Sequence, residues 1–378
     1  MARSEKNLTA VFTDTASAIR AKTGTTEQIC PLDFADKINA IETGGTGGGM
    51  KAYFENGGRC AYSTSKSFDN YIHYSDTENV TSFNNMFYRC TRLTAVPNIN
   101  MTNASFSSAC FSYCSSIKTA NITTPSTDMS DMFSYCTKLT DLTISNNSSA
   151  KVNCAYIASN TTALQTANLN VPMSYNFSNA FSYSGIKSAN LGQLHKQTGG
   201  TLPGGIIDSY SIDYQYAFNK CSNLEEVTID IGSTLEGKSS NIDLNRTFAN
   251  IKAPEGRTTP LTITFLNADA DVRRDFVYCF SSTDVIISIP AVNCTKASGL
   301  DTAFKGCTNL EELKFYNITN NIDLSDCTKM TRDALVEVLN NLATVTETRT
   351  CTLGANNLSK LTDFDKAIAT GKGWRLAL

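Results

Sequence analysis

Apolar residues along this chain fall into a repeated order in which a spacing of three gives way to a spacing of two. The clearest copy runs Phe133, Cys136, Leu139, Leu142, Ile144, and the same order returns at Phe304, Cys307, Leu310, Leu313, Phe315. The first interval has the spacing of a helical turn and the last has the alternation of a strand. Aligned on the aromatic position, the copies begin at Phe87, Phe111, Phe133, Ile157, Phe181, Phe218, Phe248, Phe280 and Phe304. Most lie 22–24 residues apart, with intervals of 37, 30 and 32 residues where loops are inserted. In two copies, Phe181 with Ser184 and Ile186, and Phe280 with Thr283 and Val285, the segment is one residue short. A unit this small cannot bury its apolar face alone, so neighbouring units must stack. The pattern predicts an α/β solenoid of leucine-rich-repeat length, with short parallel strands in one continuous sheet and short helical turns lining the other side.

The flanks break the pattern. Between Leu8 and Ile41, Val11, Thr15, Ala18 and Ile19 share one helical face. Gly24 ends that helix, and Pro31 with Asp33 starts a second whose stripe is Phe34, Ile38 and Ile41. "TGGTGGGMK" then reads as a flexible linker. It departs from a phosphate-binding loop because Met50 separates glycine from Lys51, and Ala52 stands where Ser or Thr is needed. At the other end Thr331 is placed to cap a helix with Ala334, Leu335, Val338, Leu339 and Leu342 on one face. A strand, a helix and a closing strand with the lone Trp374 follow. The expected organisation is a helical hairpin over 1–43, a linker over 44–50, an N-terminal solenoid cap over 51–80, the solenoid over 81–330 and a C-terminal cap over 331–378.

The segments "NVTSFNNMFYRCTRLTAVPNI" and "MSDMFSYCTKLTDLTI" resemble the BspA-like leucine-rich repeats of bacterial surface proteins and of phages, and the resemblance extends from Asn79 to Met330. The hairpin, with "AIRAKTG" and "PLDFADKINAI", is similar to the N-terminal unit of structural proteins of tailed phages. The closing "KAIATGKGW" is similar to the ends of phage proteins with these repeats. These resemblances imply a non-enzymatic virion protein of fibre, receptor-binding or decoration type. Its N-terminal helices would hold other virion proteins, and its repeats would meet a host cell-surface protein or glycan. The expected state is a homo-oligomer, since many copies turn weak contacts into avidity. The alternative the repeats carry is a bacterial cell-surface adhesin or protein-interaction module.

Composition narrows the chemistry. A net charge of −3 and 18% charged residues, with no basic stripe, argue against nucleic acid as a partner. No run of eighteen apolar residues predicts a membrane span, and the polar start "MARSEKNLTAVFTDTASAIRAK" lacks the apolar core of a signal peptide. The expectation is a protein made in the host cytoplasm and carried on the virion. His73 and His195 stand in no catalytic motif, and "NADAD", Asn267 to Asp271, departs from a calcium loop at Val272 and Tyr278. No catalytic residue, metal ligand or cofactor is expected.

The thirteen cysteines invite a metal or disulfide reading, but no CxxC pair occurs, and Cys110 and Cys114 have no further ligands at zinc spacing. At the position of Cys136 other copies place Asn160, Ser184 and Thr283, so size and packing explain the position better than thiol chemistry. The aromatic candidates for a binding surface are Tyr71 and Tyr74 near one cap, and Tyr210, Tyr214 and Tyr216 in the glycine-rich insertion between Phe181 and Phe218.

Overall fold

The computed structural model describes residues 59–60, 74–171, 174–191, 209–232 and 239–378. The expected N-terminal hairpin, the linker, most of the cap over 51–80, His73, His195, Tyr71 and the tip of the long insertion lie outside the described residues.

The chain winds as a solenoid whose coils each lay down strands in parallel. Strands β1 (Thr119–Thr124) and β2 (Asp141–Asn146) open one sheet, and β3 (Val152–Asn153) opens a second. The chain then alternates through β4 (Thr166–Asn170) and β5 (Ser174–Asn176), β6 (Ser188–Leu191) and β7 (Ser209–Asp213), β8 (Glu226–Asp230) and β9 (Ser239–Asp243), and β10 (Thr262–Leu266) and β11 (Arg273–Asp275). Even numbers join the first sheet and odd numbers the second, so β1-β2-β4-β6-β8-β10 and β3-β5-β7-β9-β11 run side by side. Strand β12 (Ser288–Asn293) pairs with β14 (Glu312–Tyr316), and β13 (Ala297–Ser298) extends the second sheet. Two parallel sheets therefore stand where the hydrophobic pattern predicts one. The second escapes the pattern because its strands are short and polar: Arg273–Asp275 buries only its middle residue.

Burial explains the first sheet directly. Ala120, Leu142, Ala167, Ala189, Val227 and Ile263 occupy one register across six coils, all facing inward. Between the two sheets runs a file of rings. Phe87, Phe111 and Phe133 stack at 5.2 Å steps, and Phe181, Phe218, Phe248, Phe280 and Phe304 at 5.5–5.8 Å, with planes within 13° of parallel. The file is interrupted at the fourth coil. Phe133 donates its backbone N–H to Ile157, and Ala158 donates to Ala180, the residue before Phe181. Ala158, one residue later than the expected Ile157, thus holds the ring position, and Ile157 fills the core where Met132 does in the coil before.

A charged side chain also enters the core. Arg274 pairs in register with Ile242 and is only 1% exposed. Its guanidinium donates to the carbonyls of Ile231, Asn267, Ala270 and Asn293 at 2.8–3.2 Å, so backbone oxygens replace its hydration.

The C-terminal cap follows the sequence reading and adds detail. Helix α1 (Arg332–Asn341) starts at Thr331, whose hydroxyl accepts from the N–H of Ala334, and it buries Leu335, Val338 and Leu339. Strands β15 (Ile322–Asp323), β16 (Arg349–Thr352) and β17 (Trp374–Ala377) form a closing sheet with two helices, α2 (Gly354–Ser359) and α3 (Asp363–Thr370). Lys372 donates to the carbonyls of Leu339, Asn340 and Leu342 at the end of α1, and Trp374 Nε1 donates to Ala343. These contacts satisfy carbonyls that a helix end would otherwise leave unpaired.

Asp365 ties the cap together. It accepts Arg332 Nε at 2.8 Å and Nη2 at 2.7 Å, and it also accepts the N–H of Thr362 at the start of α3. The arginine bond, with help from Thr362, holds its carboxyl at about 2, below the usual carboxylate range. A lowered carboxylate stabilises the fold above its unfolded value, about 3.9, and that contribution is lost as pH falls towards the folded one. Urea unfolding of the wild type should therefore weaken between about pH 4 and pH 2, whereas Asp365→Asn should be weaker at pH 7 and show less of this acid-dependent loss.

Candidate functional site

Each coil turns at its aromatic residue, and the hydrogen bonding there decides which side chains reach solvent. In the third coil the N–H groups of Met129, Asp131, Phe133 and Tyr135 donate to Asn153, Ala155, Ile157 and Ser159 of the next coil at 2.8–2.9 Å. The N–H groups between them, of Met132, Ser134 and Cys136, donate three residues back, to Met129, Asp131 and Phe133. Alternate amides thus point along the solenoid and back into the turn. This is why the segment has helical spacing in the sequence yet is a tight turn and not a helix.

The alternation needs two residues of each turn in the left-handed region, two before and two after the ring position. Asp131 and Tyr135 have φ of 56° and 60°, and the same places hold Asn85 and Arg89, Ala109 and Tyr113, Tyr156 and Asn160, Asn179 and Tyr183, Tyr216 and Lys220, Arg246 and Asn250, and Tyr278 and Ser282. Gly306 takes the second place in the coil of Phe304 with φ of 73°. Asn and Gly tolerate this conformation, whereas tyrosine, lysine and arginine are strained there by roughly 1–3 kcal/mol. The chain nevertheless uses tyrosine six times in these two columns.

The two columns form the outer edge of the solenoid. Tyr135, Tyr156 and Tyr183 are 38%, 43% and 49% exposed, while the residue at the ring position of the same turns, Phe133, Ala158 and Phe181, is fully buried. The rings order one another. Tyr113 and Tyr135 stack at 4.4 Å with planes 4° apart, and Tyr88 meets Tyr113 edge-on at 5.6 Å. Cations lie over the remaining faces: Arg89 over Tyr88 and Tyr113, Lys220 at 4.7 Å over Tyr183, and Arg246 over Tyr216 and Tyr278. Rigid, amphipathic rings with cations beside them make a contact surface that loses little entropy on binding.

A second column lies where the second sheet enters the turn. Asp128, Asn153, Asn176, Asp213, Asp243 and Asp275 each accept the N–H two residues ahead. Asp213, Asp243 and Asp275 sit side by side on β7, β9 and β11. Burial raises Asp213, and burial together with its two acidic neighbours raises Asp243.

The candidates taken from the sequence fall out differently. Tyr214 is fully buried, stacks on Phe177 at 5.6 Å and donates its hydroxyl to the carbonyl of Asp230. Tyr216 belongs to the outer row, Tyr74 is exposed at the first described coil, and Tyr210 is placed only through the backbone of β7. The "NADAD" turn folds around the Arg274 guanidinium, to which Asn267 and Ala270 give their carbonyls, and Asp271 pairs with Lys296 at 2.7 Å. Among the described residues no cluster of three His, Cys, Asp or Glu side chains is arranged to hold a metal, and no helix is long and apolar enough to cross a membrane.

The twelve described cysteines are all buried and form no disulfide with one another. Cys110 and Cys114 lie in different columns of the turn, and Cys114 shares its column with Cys136, Cys221 and Cys307. In that column Cys114, Cys136, Cys221 and Cys307 donate Sγ–H to the carbonyl of the preceding coil's Phe87, Phe111, Phe181 and Phe280 at 2.9–3.1 Å. Thr283 does the same to Phe248 with its hydroxyl. The residue in register at the fourth coil is Thr161, not the expected Asn160, because the ring position there is Ala158. The position therefore selects a small residue that can also donate a weak hydrogen bond. Burial pushes the Cys136 and Cys221 thiols up to about 12, which removes them from nucleophilic chemistry at neutral pH.

Sequence reasoning passed over Tyr113, Tyr135, Tyr156, Tyr183 and Tyr278. The signal was present in "FSYC" and "FSYS", where tyrosine sits between two buried positions and so has to face outward.

Residues 81–200 match the sequence model of the BspA type leucine rich repeat region, in six copies. The match covers about a third of the chain. The ring register and the outer columns continue past it to Phe304 and Gly306. Among solved structures the chain is similar to a leucine rich cell surface protein from Faecalibacterium prausnitzii A2-165, at 18% identity over 68% of this chain and 76% of that one. The TM-score of 0.29 is too low for that likeness to carry an argument about function. No curated protein matches.

Two measurements test the geometry of the turns. In urea unfolding, Tyr183→Asn should stay within about 1 kcal/mol of wild type because asparagine accepts the left-handed backbone, whereas Tyr183→Val should cost roughly 1–3 kcal/mol. Asp243→Asn keeps the acceptor and removes a like charge, so it should gain on the order of 0.5 kcal/mol at pH 7. Because a raised carboxyl loses stability as pH rises, that gain should shrink on acidification towards about pH 4.

Proposed function

We propose that this chain is a non-enzymatic structural protein of a tailed-phage virion, of fibre or decoration type, which attaches through its N-terminal helices and adheres through its repeats. The observation that carries the adhesive part is the outer row: tyrosines and cations at two fixed places in the turns, held by a backbone that cannot rearrange without breaking the hydrogen bonds between coils. Tyrosine and arginine in such settings dominate the energetics of protein and ligand contacts. The row repeats along the solenoid, so a partner with its own repeat meets several sites at once.

The virion part is supported by the resemblance of residues 8–41 and of "KAIATGKGW" to phage structural proteins. Partners on this reading are other virion proteins at the N-terminus and a host surface protein or glycan at the row. A homo-oligomer would multiply the row and convert weak contacts into avidity.

Mass spectrometry and label-directed electron microscopy of purified phage particles should find the protein in the virion and place the label at its surface. Its absence from purified particles would contradict the virion reading and return the repeats to a cell-surface adhesin.

A further inference from the structure

At one place in the outer row a residue without a ring stands between two tyrosines. Tyr135, Asn160 and Tyr183 hold the same place in three successive coils. Tyr113 covers the face of Tyr135 that looks towards the second coil. Lys220, from the sixth coil, lies over Tyr183 on its far side. The faces left open are those directed at the fourth coil, where the residue in register is Asn160, whose short side chain donates to Ser159 Oγ at 3.4 Å. Ala158 marks the same coil inside, so inner and outer ring files are interrupted together.

The width of this notch selects what can enter. Neighbouring coils are about 4.7–4.9 Å apart, so two steps separate the tyrosine planes by roughly 10 Å. Two van der Waals contacts of about 3.5–4.0 Å leave some 2–3 Å for the occupant, more than a flat aromatic ring needs and close to what a puckered saturated ring with its substituents fills. The faces of such a ring carry C–H groups that complement the negative face of a tyrosine. The Asn160 amide has donor and acceptor capacity for ring hydroxyls at the floor.

Charge narrows the class further. From Asn85 to Gly306 the two outer columns contain Arg89, Lys220 and Arg246 against a single carboxylate, Asp131, on a chain whose net charge is −3. The row is locally positive on an acidic protein, which favours an anionic partner. We propose that Tyr135, Asn160 and Tyr183 clip a sugar ring of an anionic polysaccharide that runs along the solenoid, its acidic groups met by Lys220 on one side and Arg89 on the other. This rests on the adhesive reading above and names its ligand class and site.

The test uses the full chain on an array of uronic-acid, sialylated and sulfated oligosaccharides beside neutral ones, with poly-glutamate and an oligo-dT strand as charge-matched probes. Binding should be confined to anionic saccharides. Tyr135→Asn and Tyr183→Asn should each weaken it at least tenfold with a melting temperature within about 4 °C of wild type, since asparagine already fills this column at Asn160 and Asn250. Lys220→Gln should weaken it and reduce its salt dependence. Absence of any anionic saccharide binding, affinity unchanged in the tyrosine variants, or equally tight binding of poly-glutamate or oligo-dT would each overturn the clip. Adhesion of the same labelled proteins to host cells separates the two claims. If wild type and tyrosine variants adhere equally, the clip falls and adhesion stands; if wild type does not adhere at all, the adhesive reading falls whatever the array shows.

Discussion

The structure depends on keeping backbone hydrogen bonds unbroken from coil to coil through the turn as well as through the sheets. A parallel solenoid gains its strand pairs at once, but at each corner the chain reverses direction and would ordinarily leave amides unpaired beside a buried ring. Here four amides of each turn from that of Phe87 to that of Phe248 reach the next coil, and amides between them close back on their own turn; in the turn of Phe280 three do so and Tyr278 donates to the Thr302 hydroxyl. That arrangement requires left-handed residues on both sides of the ring position, and the other features of the corner follow from it. The ring is buried and stacks on its neighbours, the small donor three residues later reaches the carbonyl of the previous coil, and the two left-handed residues face water.

The same constraint sets which residues the outer columns can hold at low cost. Left-handed positions are cheapest with glycine or asparagine, and the chain uses asparagine in several coils and Gly306 in one. Where it places tyrosine, arginine or lysine it accepts strain for side chains that contribute nothing to the core. Strained residues held by an over-determined backbone are a mark of function more often than of packing. The mutual ordering of these side chains, ring on ring and cation on ring, offsets part of that strain and leaves the row pre-organised.

Much of the fold was legible because hydrophobic period is set by burial. Leu139, Leu142 and Ile144 announced the first sheet, and Thr331 with its stripe of leucines and valines announced α1. The second sheet was not legible, since its strands are short and mostly polar, with Ile242 the one apolar residue of Ser239–Asp243 and none in Arg273–Asp275. The turn was misread as helical because a spacing of three is also the spacing of successive tight turns. One ring position was misplaced, at Ile157 instead of Ala158, because alanine carries no aromatic signal and only the hydrogen-bond register reveals it. The tyrosine row was visible in the letters yet overlooked: Tyr214 drew attention in a glycine-rich insertion and proves to be core, while Tyr135 and Tyr183 lay inside the repeat motif itself. Cys136 looked like chemistry and is a staple between coils.

Native-state hydrogen exchange resolved to single amides tests the central claim most directly. If the turn is part of the ladder, the amides of Asp131, Phe133 and Tyr135, and their counterparts in other coils, should be protected to the same degree as those of β2 and β4 and should open only with them. Exchange of these turn amides at the rate of exposed loops, while the strands stay protected, would contradict it.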